Sequence, residues 1–332
     1  MMSTRILNRS KDFLFALPWV EQASIEQLKG KVSCLLYHRI EPYGRCKFLD
    51  QGGSPVTSTG DLEKELLYLK SLQVRFFTLE QLQKFDIFVD SDTIGIVICF
   101  DDGFKCNYIQ GLDILAKHDV PAVFFQCTEF IDAKDLIWEH KLYWLDHNPI
   151  ARNLLHESLL SIIPESIPDN GRLVEYVREN ISPPLIESLT AEISGKLSTD
   201  SEISQAALQI YPGNQDLKTA LALGHELASH GHSHYKRSSI TENIFTEELT
   251  RSKLILTEVA GKEPISYSYP FNSFTEADHK IANKLYKNIA TVSNSRIGQQ
   301  LRSDFNIVPR LAWPGISHNK WRRKRWILTG SF

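Results

Sequence analysis

The sequence has no paired cysteine spacing, no long apolar run, no internal repeat and no excess of either charge. Each absence removes a class of protein. The five cysteines are an odd number, and Cys34, Cys99 and Cys127 stand inside apolar runs, where a thiol acts as a small hydrophobe. That excludes a disulfide scaffold and fits a reducing compartment. A balance of 37 basic against 40 acidic residues gives net charge −3, so nothing global points to nucleic acid. Phe13 to Val20 is apolar but is broken by Pro18, is too short to cross a bilayer and has no small-residue cleavage site. It reads as a packing or amphipathic segment. The expected location is the cytoplasm.

What is present begins with a core: 42% hydrophobic residues and six tryptophans in 332 residues suit one β/α barrel with an insertion, or two modest domains. Thr93 to Phe100 is a β-branched and apolar run, the pattern of a strand buried on both faces. Lys31 to His38, Pro121 to Gln126, Glu226 to His230, Ile265 to Pro270, Asn288 to Ser293 and Asn306 to Leu311 read as further strands. Helical spacing over 61–72, 108–117, 217–223, 246–260 and 275–286 separates them, and strand, helix, strand implies parallel units. Residues 41–60, rich in glycine and proline, read as a long loop. Residues 140–214 differ, with leucine-rich helical segments punctuated by prolines and no strand pattern. This is a helical insertion, a candidate lid, whose sequence offers no recognisable chemistry. The division is thus an N-terminal segment over 1–30, a barrel over 31–317 and a tail over 318–332.

Two stretches carry chemistry. Asp101-Asp102-Gly103 stands where the central strand should end, and charge there is costly without a metal, a partner or water. Taken alone, the tripeptide is more commonly a solvated acidic turn. His230, His232 and His234 alternate directly after a short strand, a rare clustering among 11 histidines. Two imidazoles and a carboxylate make an open catalytic metal site. With Gly231 turning the backbone, His230 and His234 converge and His232 points elsewhere. Alone, this stretch describes a solvated His-rich turn equally well.

Together, Phe100-Asp-Asp-Gly103 and His230-Gly-His-Ser-His234 resemble the first two motifs of the polysaccharide deacetylases, carbohydrate esterases with the NodB homology domain. Leu35-Leu-Tyr-His-Arg-Ile40, Val120-Pro-Ala-Val-Phe-Phe125 and Ser266-Tyr-Ser-Tyr-Pro-Phe271 are similar to the same proteins. The resemblance implies a distorted (β/α) barrel and a hydrolase removing N-acetyl groups from an N-acetylhexosamine-containing glycan or a lipid-linked precursor. It implies Asp101 as general base, Asp102, His230 and His234 as ligands of one divalent ion, and the Phe271 N–H as oxyanion donor, with Tyr269 beside it. Zinc is the expected ion, with cobalt, nickel or manganese as alternatives. Polarising the amide carbonyl and lowering the pKa of water are the tasks such an ion performs.

The chain also departs from the family pattern. Ser268 stands where the third motif often has an arginine that orients the base, and Arg310 is the substitute expected from a neighbouring strand end. The usual late acid-bearing histidine segment is missing, and Tyr37-His38 resembles the N-terminal strand of the poly-N-acetylglucosamine deacetylases. His38 is therefore the expected general acid, with a satisfied core histidine as the plain alternative. His225, His279 and His318 stand in poorer places. Two other functions remain open: an amidohydrolase acting on a small or cyclic amide, and an inactive glycan-binding barrel. Lys320 to Trp326 is a compact basic and aromatic cluster, read as a solvated end or a contact with a membrane surface.

Overall fold

The computed structural model describes residues 17–50, 54–84, 92–162, 173–293, 307–312 and 320–329. Strands β1 (Lys31–Tyr37), β2 (Ile94–Phe100), β3 (Ala122–Gln126), β4 (Glu226–Ser229), β5 (Ser266–Ser268), β6 (Asn288–Val292) and β7 (Ile307–Ala312) each pair in parallel with the next. The ring closes where β7 returns to β1, with Cys34 opposite Arg310. The expected parallel barrel is present, and its seven strands are those legible in the sequence.

Alternation explains why these runs are apolar throughout. Cys34, Leu36, Val97, Cys99, Val123 and Phe125 fill the barrel interior, while Leu35, Tyr37, Ile98, Phe100 and Phe124 face the helices outside. Gly95 is required by close approach, since a Cβ there would lie 2.8 Å from Val32 Cγ2. Phe77, Leu79 and Leu82 join the interior cluster, and a short strand, Arg75–Phe76, pairs with β2 at Gly95 and Ile96. These residues plug the N-terminal end of the ring.

Several elements differ from expectation for local reasons. The helix expected from residue 246 runs Glu242–Ala260, because the Thr241 side chain accepts from the Ile244 N–H and caps it four residues earlier. Glu248 is consequently mid-helix and buried rather than in the first turn. The loop over 41–60 contains a helical turn, Lys47–Asp50, and its Val56–Thr57 pairs with Arg39–Ile40. Pro18 does not break its segment but opens a helix, Pro18–Glu26, at the position where a missing N–H costs nothing. Phe13 itself lies outside the described residues.

The tail is not a free arm. It forms a helix, Lys320–Thr329, whose Trp326 is wholly buried against the edge of the Tyr37 ring and donates to the Ala312 carbonyl at 2.9 Å. Lys324 joins Glu21 of the first helix at 2.6 Å. The side chains of Trp321, Arg322 and Arg323, and all of His318, lie outside the described set.

The segment after β3 is helical: Trp138–His147, Pro149–Ile162, Leu173–Asn180, Pro183–Leu197 and Asp200–Ile210. It has its own core, including Leu142, Leu155, Val177 and Ile193, which merges with Phe104, Cys127 and Phe130 at the barrel rim. Among the described residues no helix is long and apolar enough to cross a membrane.

Candidate active site

The alternation that fills the barrel also aims its first catalytic candidate. Val97 and Cys99 point inward, so Asp101, one step past the end of β2, continues that face over the mouth. A regular strand would send Asp102 outward. Instead Asp102 sits at φ 69 and Gly103 at φ 87, which turns the chain back. No side chain fits at Gly103, because the Gln126 amide occupies the space 2.3 Å from where its Cβ would be. The histidine loop is built likewise: Gly231 at φ 80 and His234 at φ 57 fold it over the mouth. The buried Glu248 carboxylate accepts from the His232 and Ser233 N–H groups at 2.9 and 2.7 Å and holds that loop. Left-handed non-glycine residues at Asp102, His234 and Phe271 place backbone strain at the mouth.

Asp101 is gripped from the closing strand. Arg310 donates to its two oxygens at 2.5 and 2.9 Å and to the Ser268 hydroxyl at 2.5 Å. All three side chains are buried. Burial alone would raise the Asp101 carboxyl, but Arg310, joined by His230 and His38, outweighs it and holds the group below its ordinary range. The substitution of serine for arginine in the third motif is thus matched in space by Arg310.

Asp102, His230 and His234 converge. Asp102 Oδ1 lies 3.5 Å from His230 Nε2 and 3.3 Å from His234 Nε2. His230 Nδ1 lies 2.9 Å from the Ser268 carbonyl, and His234 Nδ1 lies 3.1 Å from Glu139 Oε2. Both partners can only accept, so each Nδ1 carries a hydrogen. Each neutral ring therefore turns an Nε2 lone pair toward a carboxylate oxygen. Three acceptors facing one another demand a proton or a cation between them, and the donor set suits a divalent ion. The proton alternative is visible at His234. Burial would lower this imidazole, but Asp102 and Glu139 outweigh it and raise it to about 10. Asp102 Oδ2 accepts from the Ser54 hydroxyl, while Oδ1 faces the shared space.

Cys127 also brings its sulfur within 4.8 Å of the two imidazoles. Its thiol donates to the His230 carbonyl at 3.4 Å, and burial pushes it well above the ordinary range. A thiol that does not ionise is a poor ligand, and Asp102 is the better third donor. His232 turns away as expected, its Nδ1 lying 2.8 Å from Thr128 Oγ1.

Around these groups is a cleft of about 340 Å³ that includes His38, Phe271 and Tyr269. His38 follows β1 and makes no hydrogen bond among the described residues, with Nδ1 buried and unpartnered. This is not a satisfied core histidine. Burial lowers its imidazole, opposed by Asp102 and Asp101. Phe271, at φ 56, sits in a turn whose internal hydrogen bonds run from Asn272 to Tyr269 and from Ser273 to Pro270, so its own N–H takes no part in them. Tyr269 borders the cleft, but its ring stacks on Phe274 at 4.6 Å.

Three residues with no sequence signal complete the walls. Ser54 comes from the glycine-rich loop. Glu139 and Arg178 come from the helical segment, where charged residues at helical spacing look like a solvated face. Arg178 donates to Glu139 Oε1 at 3.2 Å and lies over the Phe271 ring, 5.4 Å from its centroid.

A family model described as polysaccharide deacetylase matches residues 89–289, a range that contains Asp101, Asp102, His230, His234 and Phe271 but neither His38 nor Arg310. The chain is similar to the crystal structure of a polysaccharide deacetylase from Bacillus cereus, with 16% identity, 89% of this chain and 68% of that one covered, and a TM-score of 0.57. It is also similar to the Streptococcus pyogenes deacetylase PplD in complex with acetate (14%, 92% and 100%, 0.57). A third similar structure is IcaB from Ammonifex degensii (15%, 90% and 97%, 0.56). Identities this low speak to the fold. No curated protein matches the chain in sequence.

Proposed function

The chain belongs to the polysaccharide deacetylase family, hydrolases of the N-acetyl amide bonds of sugars, and from this we propose that it is a metal-dependent N-deacetylase of an N-acetylhexosamine-containing glycan. The observation that carries the reading is the convergence of Asp102 Oδ1 and the Nε2 atoms of His230 and His234 beside a carboxylate fixed by Arg310.

Asp102, His230 and His234 would hold one divalent ion, zinc first among them. That ion, when bound, polarises the amide carbonyl and acidifies water. Asp101 takes a proton from the attacking water, and the Arg310 grip on both its oxygens keeps it ionised and aimed. The Phe271 N–H, left out of its turn's own hydrogen bonds at the edge of the cleft, would be the donor to the carbonyl oxygen as negative charge grows there. An amide expels an amine, which leaves only if it receives a proton. His38 supplies it, since its ring lies in the cleft without a competing partner. Because burial lowers His38, its donor form is lost early as pH rises.

The test is acetate release from a panel of N-acetylated glycans, N-acetylglucosamine oligomers and a lipid-linked sugar among them, with metal analysis of the same protein. Release that stops with a chelator and returns with zinc is expected. Turnover of small cyclic amides in place of glycans would overturn the substrate assignment, and full activity in the chelated protein would overturn the metal.

A further inference from the structure

The helical segment after β3 touches the ligand loop at four separate points. Glu139 holds His234 Nδ1 at 3.1 Å. Trp138 Nε1 donates to the Ser233 carbonyl at 3.1 Å. The Tyr235 hydroxyl donates to Glu187 at 2.7 Å, and Lys236 pairs with Glu179. Arg178 stands apart from these, because it reaches both sides of the cleft at once. Its Nη1 donates to Glu139 Oε1 at 3.2 Å and to the Tyr143 hydroxyl at 3.3 Å, while its guanidinium carbon lies over the Phe271 ring. That same ring lies 4.7 Å from the His234 ring, centroid to centroid.

We propose that Arg178 is a positioning residue that fixes the metal ligand His234 through Glu139 and the donor turn at Phe271 through its ring. This rests on the metal assignment above. Glu139 spends one oxygen on His234 and the other on Arg178, so the guanidinium decides where the carboxylate stands. A carboxylate without that partner can rotate away from Nδ1, and the ligand ring loses its orientation. On the other side, Phe271 adopts a left-handed backbone that no glycine eases, so something must hold it. The cation over its ring does so. A lysine could reach Glu139, but its compact ammonium has no planar fork to serve both the carboxylate and the ring.

The experiment titrates zinc into the metal-free protein against a chromophoric chelator, for wild type, Arg178→Met, Arg178→Lys, Glu139→Gln and Arg178→Met/Glu139→Gln. Loss of such an outer partner typically weakens metal binding by about ten- to a hundred-fold. Glu139→Gln is expected in that range and Arg178→Met somewhat below it. If Arg178 acts on the metal through Glu139, the double variant binds zinc as Glu139→Gln does, with no further loss. At saturating zinc, Arg178→Met should still lower kcat with little change in KM, because the Phe271 turn is released, and Arg178→Lys should not restore it. Melting curves check that each variant is folded. Should Arg178→Met not fold, Arg178→Gln carries the same comparison, since it keeps a polar side chain but neither the charge nor the planar fork. Wild-type zinc affinity in folded Arg178→Met, or losses that simply add in the double variant, overturns the proposal. Failure of the wild type itself to bind zinc counts instead against the metal assignment.

Discussion

The barrel rim and the helical segment face each other across one cleft and furnish it differently. The rim supplies groups that can react: Asp101, Asp102, His230 and His38, each one or two positions past the end of a strand. The helical side supplies groups that orient, Glu139 and Arg178, whose targets are residues of the rim. The difference follows from rigidity. A strand end in a closed ring is held by backbone pairing on both sides, whereas the helices meet the rim through side chains of a shared core. The reacting groups stand on the first kind of support and the orienting ones on the second.

Breaking the rim should therefore cost far more than loosening the helical side. His234→Ala leaves two of three ligands and is expected to abolish zinc retention and acetate release together, while His232→Ala keeps both. Metal analysis of the two variants decides it, and the reverse pattern would place the ligand at the wrong histidine. Asp101→Asn should keep zinc but lose about a hundred- to ten-thousand-fold in acetate release, the usual cost of a missing general base. Near-normal turnover would move the base elsewhere.

His38→Ala should lose amide turnover to a similar degree while sparing an activated acetyl ester, whose leaving group needs no proton. Equal loss on both substrates would remove His38 from the acid role. The smallest effect is a shift in pH. Arg310 lowers the Asp101 carboxyl below its ordinary range, and a base works only above its pKa. Arg310→Gln should therefore move the acid limb of kcat/KM to higher pH, with metal content unchanged. An unmoved limb would mean that the limb does not report Asp101.

The strands were legible because a barrel interior and its outer face are both apolar, so each strand prints an unbroken run such as Ile94–Phe100. The rim residues were legible because charge is out of place at the end of such a run. Arg310 was legible only as a substitute, a cation near a neighbouring strand end that could serve where Ser268 stands. Glu139 and Arg178 gave no signal, since an acid and a base on amphipathic helices are what solvent-facing positions ordinarily carry. Ser54 was hidden for a related reason: a polar residue among glycines and prolines is what any loop shows. The tail misled in the opposite sense, because its basic residues outweighed in the reading the Trp326, Ile327 and Leu328 that the fold buries.

The closure of β7 on β1 bears on when the protein becomes able to act. Cys34 finds its partner Arg310 across nearly the whole chain, so the last pairing of the ring joins the first strand made to the last. A contact of that span is costly in loop entropy and forms late. Arg310 rides on that late strand, and it is the group that grips Asp101. A chain with the early strands already in place, and even the histidine loop built, would still lack the Arg310 grip on Asp101. On the proposed mechanism, hydrolysis would therefore require the ring to be complete.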